Sequence, residues 1–134
     1  MAIKTFEHIL ILAKDIEITK NFYVEILGLE IGYRPNFPFH GYWLYVKDNK
    51  EACIHMAMQK SNDGQDYFIG SKEISESTGP IDHVAFNADN MEEMKLFLDN
   101  KSIEYIHRVI PGAPLQQLFV TDPDGIKVEL NFAL

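Results

Sequence analysis

A chain of 134 residues is one ordinary domain, long enough to bury roughly two-thirds of its unfolded surface, and no apolar run nears the about 18 residues that cross a bilayer, so no membrane is expected. The formal charge of −8 and the 12 scattered basic residues lack the clustered footprint that phosphate backbones require, which argues against nucleic acid as a partner. Cys53 is the single cysteine, so no intrachain disulfide forms, and MAIKTFEHIL lacks the pattern of a signal peptide, which makes a cytoplasmic location the expectation.

In chain order, IKTFEHILILA is an apolar run of strand length, and DIEITKNFYVEILG comes after it with helical spacing. Asp15 can cap this helix, Ile18, Phe22 and Ile26 share one face, and Gly28 can close it. LGLEI comes next, then HGYWLYV and EACIHMAM, two strand-like runs around the polar stretch Lys47 to Lys50, which suits a hairpin. Residues 60–79 are polar, contain Gly and Ser, and are weakly patterned. A loop of that length serves as a linker or as a cover for a site.

The order then starts again. PIDHVAFNA is a strand, and Asn90 with Glu93 forms a capping-box signature for a helix whose buried side holds Met94, Phe97 and Leu98. KSIEY echoes LGLEI, and LQQLFVT and GIKVELNF flank Asp122-Pro123-Asp124-Gly125, whose Pro and Gly fit a tight turn. The reading is an α+β fold of two βαβββ modules, one over about 1–59 and the other over about 80–134.

The repeat brings polar residues into register. His8 matches His83, and His55 matches Glu129 at nearly the same separation. Alternate strand residues share a face, so His8 points with Phe6 and Leu10, His55 with Cys53 and Ala57, His83 with Ile81 and Ala85, and Glu129 with Lys127 and Asn131. A single strand histidine is ordinarily a hydrogen-bonded, half-buried residue, and Glu129 alone reads as a solvent-facing carboxylate because its face is polar. The coincidence of two matched pairs is what points to metal, since three imidazoles and a carboxylate suit a divalent first-row ion. Glu7 and Asp82 precede the matched histidines and, by strand alternation, should point away from them and not orient them. Cys53 reads as a small buried filler, His40 and His107 as surface residues, and FPFHGYWLY as core or pocket wall.

NFYVEILGLEIGYRP, IDHVAF and DPDGIKVEL together resemble the vicinal oxygen chelate superfamily, which includes glyoxalase I, bleomycin-resistance proteins, extradiol dioxygenases, methylmalonyl-CoA epimerase and fosfomycin-resistance proteins. The resemblance covers nearly the whole chain. It implies two modules forming a cup, with metal ligands on the first and last strand of each: His8, His55, His83 and Glu129. It also implies one divalent ion (Zn, Ni, Co, Mn or Fe(II)), a small-molecule substrate and a homodimer. The chain departs from that pattern at one place: bacterial-type glyoxalase I has glutamate, and the epimerases glutamine, where His55 stands. A neutral histidine in place of the glutamate leaves the ion a stronger Lewis acid, favouring ligands that become anionic.

Three activities are compatible with the resemblance. In a glyoxalase-like lyase or isomerase, Glu129 is both ligand and catalytic base for an enediolate. In an extradiol-type iron(II) dioxygenase of catechol-like substrates, His8, His83 and Glu129 form the two-histidine, one-carboxylate triad. In a metal-free drug-binding protein, Trp43, Tyr45 and Phe119 are apolar walls.

Overall fold

The computed structural model describes residues 1–61, 63–70 and 73–134. They fall into two compact units, Met1–Ile74 and Ser75–Leu134. The first contains β1 (Ile9–Ala13), α1 (Ile16–Asn21) continued by a π-helical turn (Phe22–Ile26), β2 (Glu30–Ile31), β3 (Gly41–Tyr45), β4 (Ile54–Met58) and α2 (Gln65–Ile69). The second contains β5 (His83–Asn87), α3 (Met91–Asn100), β6 (Ile106–Val109), β7 (Leu115–Thr121) and β8 (Lys127–Ala133). Each unit has one four-stranded sheet, ordered β1-β4-β3-β2 and β5-β8-β7-β6. The first strand of each runs parallel to the last, and the other pairings are antiparallel. This is the βαβββ order read from the sequence, present twice.

Asp15 caps α1 as expected, accepting hydrogen bonds from the amides of Glu17 and Ile18. The buried face differs from the expected one. Ile18 is 57 % exposed, and the helix instead buries Ile16, Thr19, Phe22 and Tyr23. Ile16, Thr19 and Tyr23 form an i, i+3, i+7 stripe of their own, and the π-helical turn after Asn21 shifts the helical phase of the residues beyond it. At the end of this segment Gly28 adopts φ +77°, and the Leu29 amide donates to the Tyr23 carbonyl.

The capping box expected at α3 does not form. Asn90 has a left-handed backbone, φ 58°, and makes no side-chain cap bond, because that conformation turns its side chain from the extended geometry in which a cap reaches the first-turn amides. The buried side is as anticipated, with Leu98 fully buried and Met94 and Phe97 half-buried. In the 122–125 turn, Asp122 Oδ1 accepts from the amides of Asp124 and Ile126, both at 2.8 Å.

The 60–79 segment holds structure of its own. Helix α2 lies in it, and Phe68 packs on Phe37 and Phe39 with ring centroids 5.4 and 5.8 Å apart. Residues 62, 71 and 72 of that segment lie outside the described residues. Among the described residues no helix is long and apolar enough to cross a membrane.

Strand alternation positions the site. Ile54 and Met56 of β4, and Val128, Leu130 and Phe132 of β8, are buried in the cores of their units. His55 and Glu129 are the intervening residues and so project from the opposite face of each sheet.

Candidate functional site

In the first unit, His55 lies directly across from Trp43 of β3. Its imidazole is sandwiched, with the Trp43 ring on one contact (centroids 3.7 Å apart, planes 9° apart) and the His8 ring on another (3.5 Å, 13°). Burial in this stack, reinforced by His8 and Arg34, pushes the His55 pKa down to about 4, so the ring is neutral at neutral pH, the form in which histidine binds metal. The aromatic packing continues outward through Phe37 and Phe39, over which the Arg34 guanidinium lies at 5.0 and 4.9 Å.

His8 and His83 both contradict the expectation for their preceding acids. Glu7 Oε1 accepts from His8 Nδ1 at 2.9 Å, and Asp82 Oδ2 accepts from His83 Nδ1 at 2.7 Å. His8 precedes the first residue of β1, and His83 is itself the first residue of β5. Neither dipeptide lies inside a strand, so no pleat forces its side chains apart. A carboxylate only accepts, so each Nδ1 carries a proton, and the neutral form of each ring has its lone pair at Nε2, the tautomer in which a second-layer acid prepares histidine for metal. Asp82 is itself held by Lys127 Nζ at 3.0 and 3.2 Å, and its bonds to His83 and then Lys127 keep its carboxyl below the usual range.

In the second unit, His83 Nε2 faces Glu129 Oε1 at 3.5 Å. The Glu129 side chain is only 13 % exposed, so the solvent-facing reading of this residue in isolation does not hold. Its polar neighbours serve as partners. Asn131 Nδ2 donates to Glu129 Oε2 at 2.8 Å, and Gln117 Nε2 donates to Asn131 Oδ1 at 3.0 Å. The carboxylate can only accept, which fixes the orientation of both amides. Oε2 is thereby committed and Oε1 is left facing the histidine. Neither Gln117, buried at 8 % exposure, nor Asn131 is a site candidate by sequence. Asn131 sits two residues from Glu129 on the same face, which is a usable signal, but Gln117 joins it only through the β7–β8 register.

The pair opens into a cleft of about 930 Å³ lined within this unit by His83, Glu129, Phe119, Arg108, Lys127 and Asp82 among others, a size suited to a small molecule. The other sequence candidates are minor. His40 is exposed and bonds Glu17, and His107 is exposed and bonds Gln116. Cys53 is half-buried and unpaired, with its thiol pushed up by burial.

The donors fit a divalent metal unevenly. His83 Nε2 and Glu129 Oε1 face each other, a contact satisfied either by a second ring proton, which makes it an ion pair, or by a cation between the two atoms. Two donors each about 2.1 Å from one cation lie roughly 3.0–3.5 Å apart, and the 3.5 Å of this pair falls at that limit. His8 and His55 are stacked nearly parallel, so their lone pairs converge on one ion only if the stack opens. Each unit thus brings two of the four candidates together, and among the described residues no group of three or more His, Cys, Asp or Glu side chains is placed to hold an ion.

Residues 5–130 match the family model of the Glyoxalase/Bleomycin resistance protein/Dioxygenase superfamily. "Glyoxylase I 4" of Arabidopsis thaliana is 25 % identical over 131 residues, covering 94 % of this chain and 69 % of that protein. The lactoylglutathione lyase of Schizosaccharomyces pombe is 22 % identical over 144 residues, and the match spans 97 % of this chain but only 48 % of that enzyme. Among solved structures, TnmS3, an antibiotic binding protein from Streptomyces sp. CB03234, superposes with a TM-score of 0.71 at 17 % identity, covering 100 % of this chain and 99 % of that one. That likeness is one of fold.

Proposed function

The chain belongs to the Glyoxalase/Bleomycin resistance protein/Dioxygenase superfamily, and we propose that within it this protein is a metal-dependent, glyoxalase-like lyase or isomerase acting on a small substrate with vicinal oxygens. The observation that carries this reading is the His83–Glu129 pair, in which the other polar atom of each side chain is committed to a partner and the two remaining atoms, His83 Nε2 and Glu129 Oε1, face each other at 3.5 Å. His8, His55, His83 and Glu129 are the residues we assign to a divalent ion, Zn, Ni, Co, Mn or Fe(II). A bound ion would supply Lewis acidity to the substrate's oxygens and offset negative charge that develops on them.

The chain's own residues do the rest. Asp82, anchored by Lys127, and Glu7 hold Nδ1 of His83 and His8 and so orient each ring with Nε2 directed away from the acid. Glu129 gives up its place as a ligand to take, at Oε1, the proton from the carbon beside the substrate carbonyl, while Asn131, itself held by Gln117, holds Oε2 and so fixes the direction of transfer. Phe119 gives the cleft an apolar wall.

One observation favours a second reading, an extradiol-type iron(II) dioxygenase. Of the three candidate histidines, His8 and His83 have a carboxylate partner and His55 is held by ring stacking instead, so the prepared set is two histidines and Glu129. A homodimer, with a mass twice 15.4 kDa in sedimentation, goes with either reading.

Elemental analysis of untagged protein beside a His83→Ala variant separates these readings. About one first-row metal per chain, lost in the variant, is expected; zinc, nickel or cobalt goes with the lyase or isomerase, and iron with the dioxygenase. No metal in either protein, and no uptake on titration, would overturn the metal-dependent reading and leave a small-molecule binding protein.

A further inference from the structure

The cleft of the second unit contains two cations, and only one is committed. Lys127 is paired with both oxygens of Asp82. Arg108 of β6 spreads its guanidinium over the Phe119 ring, with Cζ 5.1 Å from the centroid, and among the described residues that group has no hydrogen bond or ion pair. His83 packs edge-on against the same ring, at 6.4 Å between centroids, and Phe119 lies directly across from Glu129 in the β7–β8 register. One aromatic side chain therefore carries the arginine and borders both metal candidates of this unit, which sets the guanidinium within a small molecule's length of them. A guanidinium laid on an aromatic face keeps its in-plane N–H donors free, and its fork of parallel donors matches a carboxylate.

The charge around it adds selectivity. Asp99 and Glu104 line the same cleft, in a chain of net charge −8, so an entering anion is repelled except where an uncommitted cation receives it. We propose that Arg108 is the anchor for a substrate carboxylate: the cleft takes small molecules with vicinal oxygens at one end, a carboxylate at the other, and a flat apolar spacer lying along Phe119. The inference rests on the proposed function for the end of the cleft at His83 and Glu129, and it holds for either reaction.

The test uses two ligands that differ only at the far end, 3,4-dihydroxybenzoate and 3,4-dihydroxybenzamide, titrated calorimetrically into zinc-loaded full-length protein. The wild type should bind the benzoate about tenfold more tightly, the scale of one charge-assisted contact. Arg108→Gln should abolish that ratio by weakening the benzoate while leaving the benzamide within about twofold, and Arg108→Lys, a point charge without the fork, should retain part of it. Equal affinities in the wild type, or a ratio that survives Arg108→Gln, would overturn the anchor. Zinc uptake with binding of neither ligand would overturn the anchor together with the vicinal-oxygen reading of the cleft. If zinc is not taken up, the metal reading fails, and the same ratio measured by NMR shifts on metal-free protein decides the anchor alone.

Discussion

The two units present their second candidate donor from the same register position and hold it by opposite chemistry. His55 lies across from Trp43, and Glu129 lies across from Phe119. Two residues along, the first unit pairs Gly41 with Ala57 where the second pairs Gln117 with Asn131. An imidazole can be fixed through its faces and kept neutral by burial, so the first unit surrounds it with rings. A buried carboxylate needs N–H donors, so the second unit supplies an amide relay. Gly41 shows how far the first unit is committed to packing: a Cβ there would stand 2.5 Å from the Met56 carbonyl oxygen and 2.8 Å from Arg34 Nη2. The backbone repeat is common to both units, and the cross-strand neighbours decide which donor each can hold.

The sharpest way to break this comparison is to exchange the supports. Gly41→Ala should destabilise the protein by about 1–3 kcal/mol in urea unfolding, because the nearer clash is with backbone that cannot turn away. Gln117→Ala should cost about 1 kcal/mol in the same assay through one lost amide bond. Equal losses would mean that packing does not dominate the first unit.

Metal affinity sharpens the contrast next. Asn131→Ala should weaken cobalt or zinc binding by about 10–100-fold by releasing Oε2 of Glu129, whereas Trp43→Phe, which keeps a ring face on His55, should change it by no more than about threefold. Asp82→Ala should weaken binding by about tenfold. Glu7→Ala should do less, because Glu7 lacks the lysine that anchors Asp82.

The remaining expected effect is a pH dependence centred on the first unit. Above pH 6.5 His55 is neutral in the folded and unfolded chain alike; between 6.5 and about 4 only the unfolded chain takes the proton. Stability of the metal-free protein should therefore fall as pH drops through that window and level off below it. His55→Gln should flatten this component in denaturant titrations, and an unchanged slope would show that the stack does not hold the ring neutral.

Much of this is legible in the chain. IDHVAF and EHILILA announce the repeat, the Asp122 to Gly125 turn and the Asp15 cap arise from side chains that bond their own backbone, and the apolar alternation through Val128 and Leu130 puts Glu129 on the face away from the core. The failures share a cause. Ideal periodicity or ideal capping misplaces Ile18, Glu7, Asp82 and Asn90: Ile18 lies in the short regular helix ahead of the π-helical turn that breaks its phase with Phe22 and Ile26, Glu7 and Asp82 lie ahead of their strands, and Asn90 is a left-handed residue before a helix.

The sequence by itself determined the βαβββ order and its repetition and singled out His8, His55, His83 and Glu129 as candidate donors, because those depend on local periodicity and residue chemistry. Tertiary structure alone decided how each donor is held. Trp43 against His55, Gln117 through Asn131 to Glu129, and Lys127 on Asp82 are contacts across strands, and only the register of a folded sheet brings residues so far apart in the chain to within a hydrogen bond or a ring's thickness of one another.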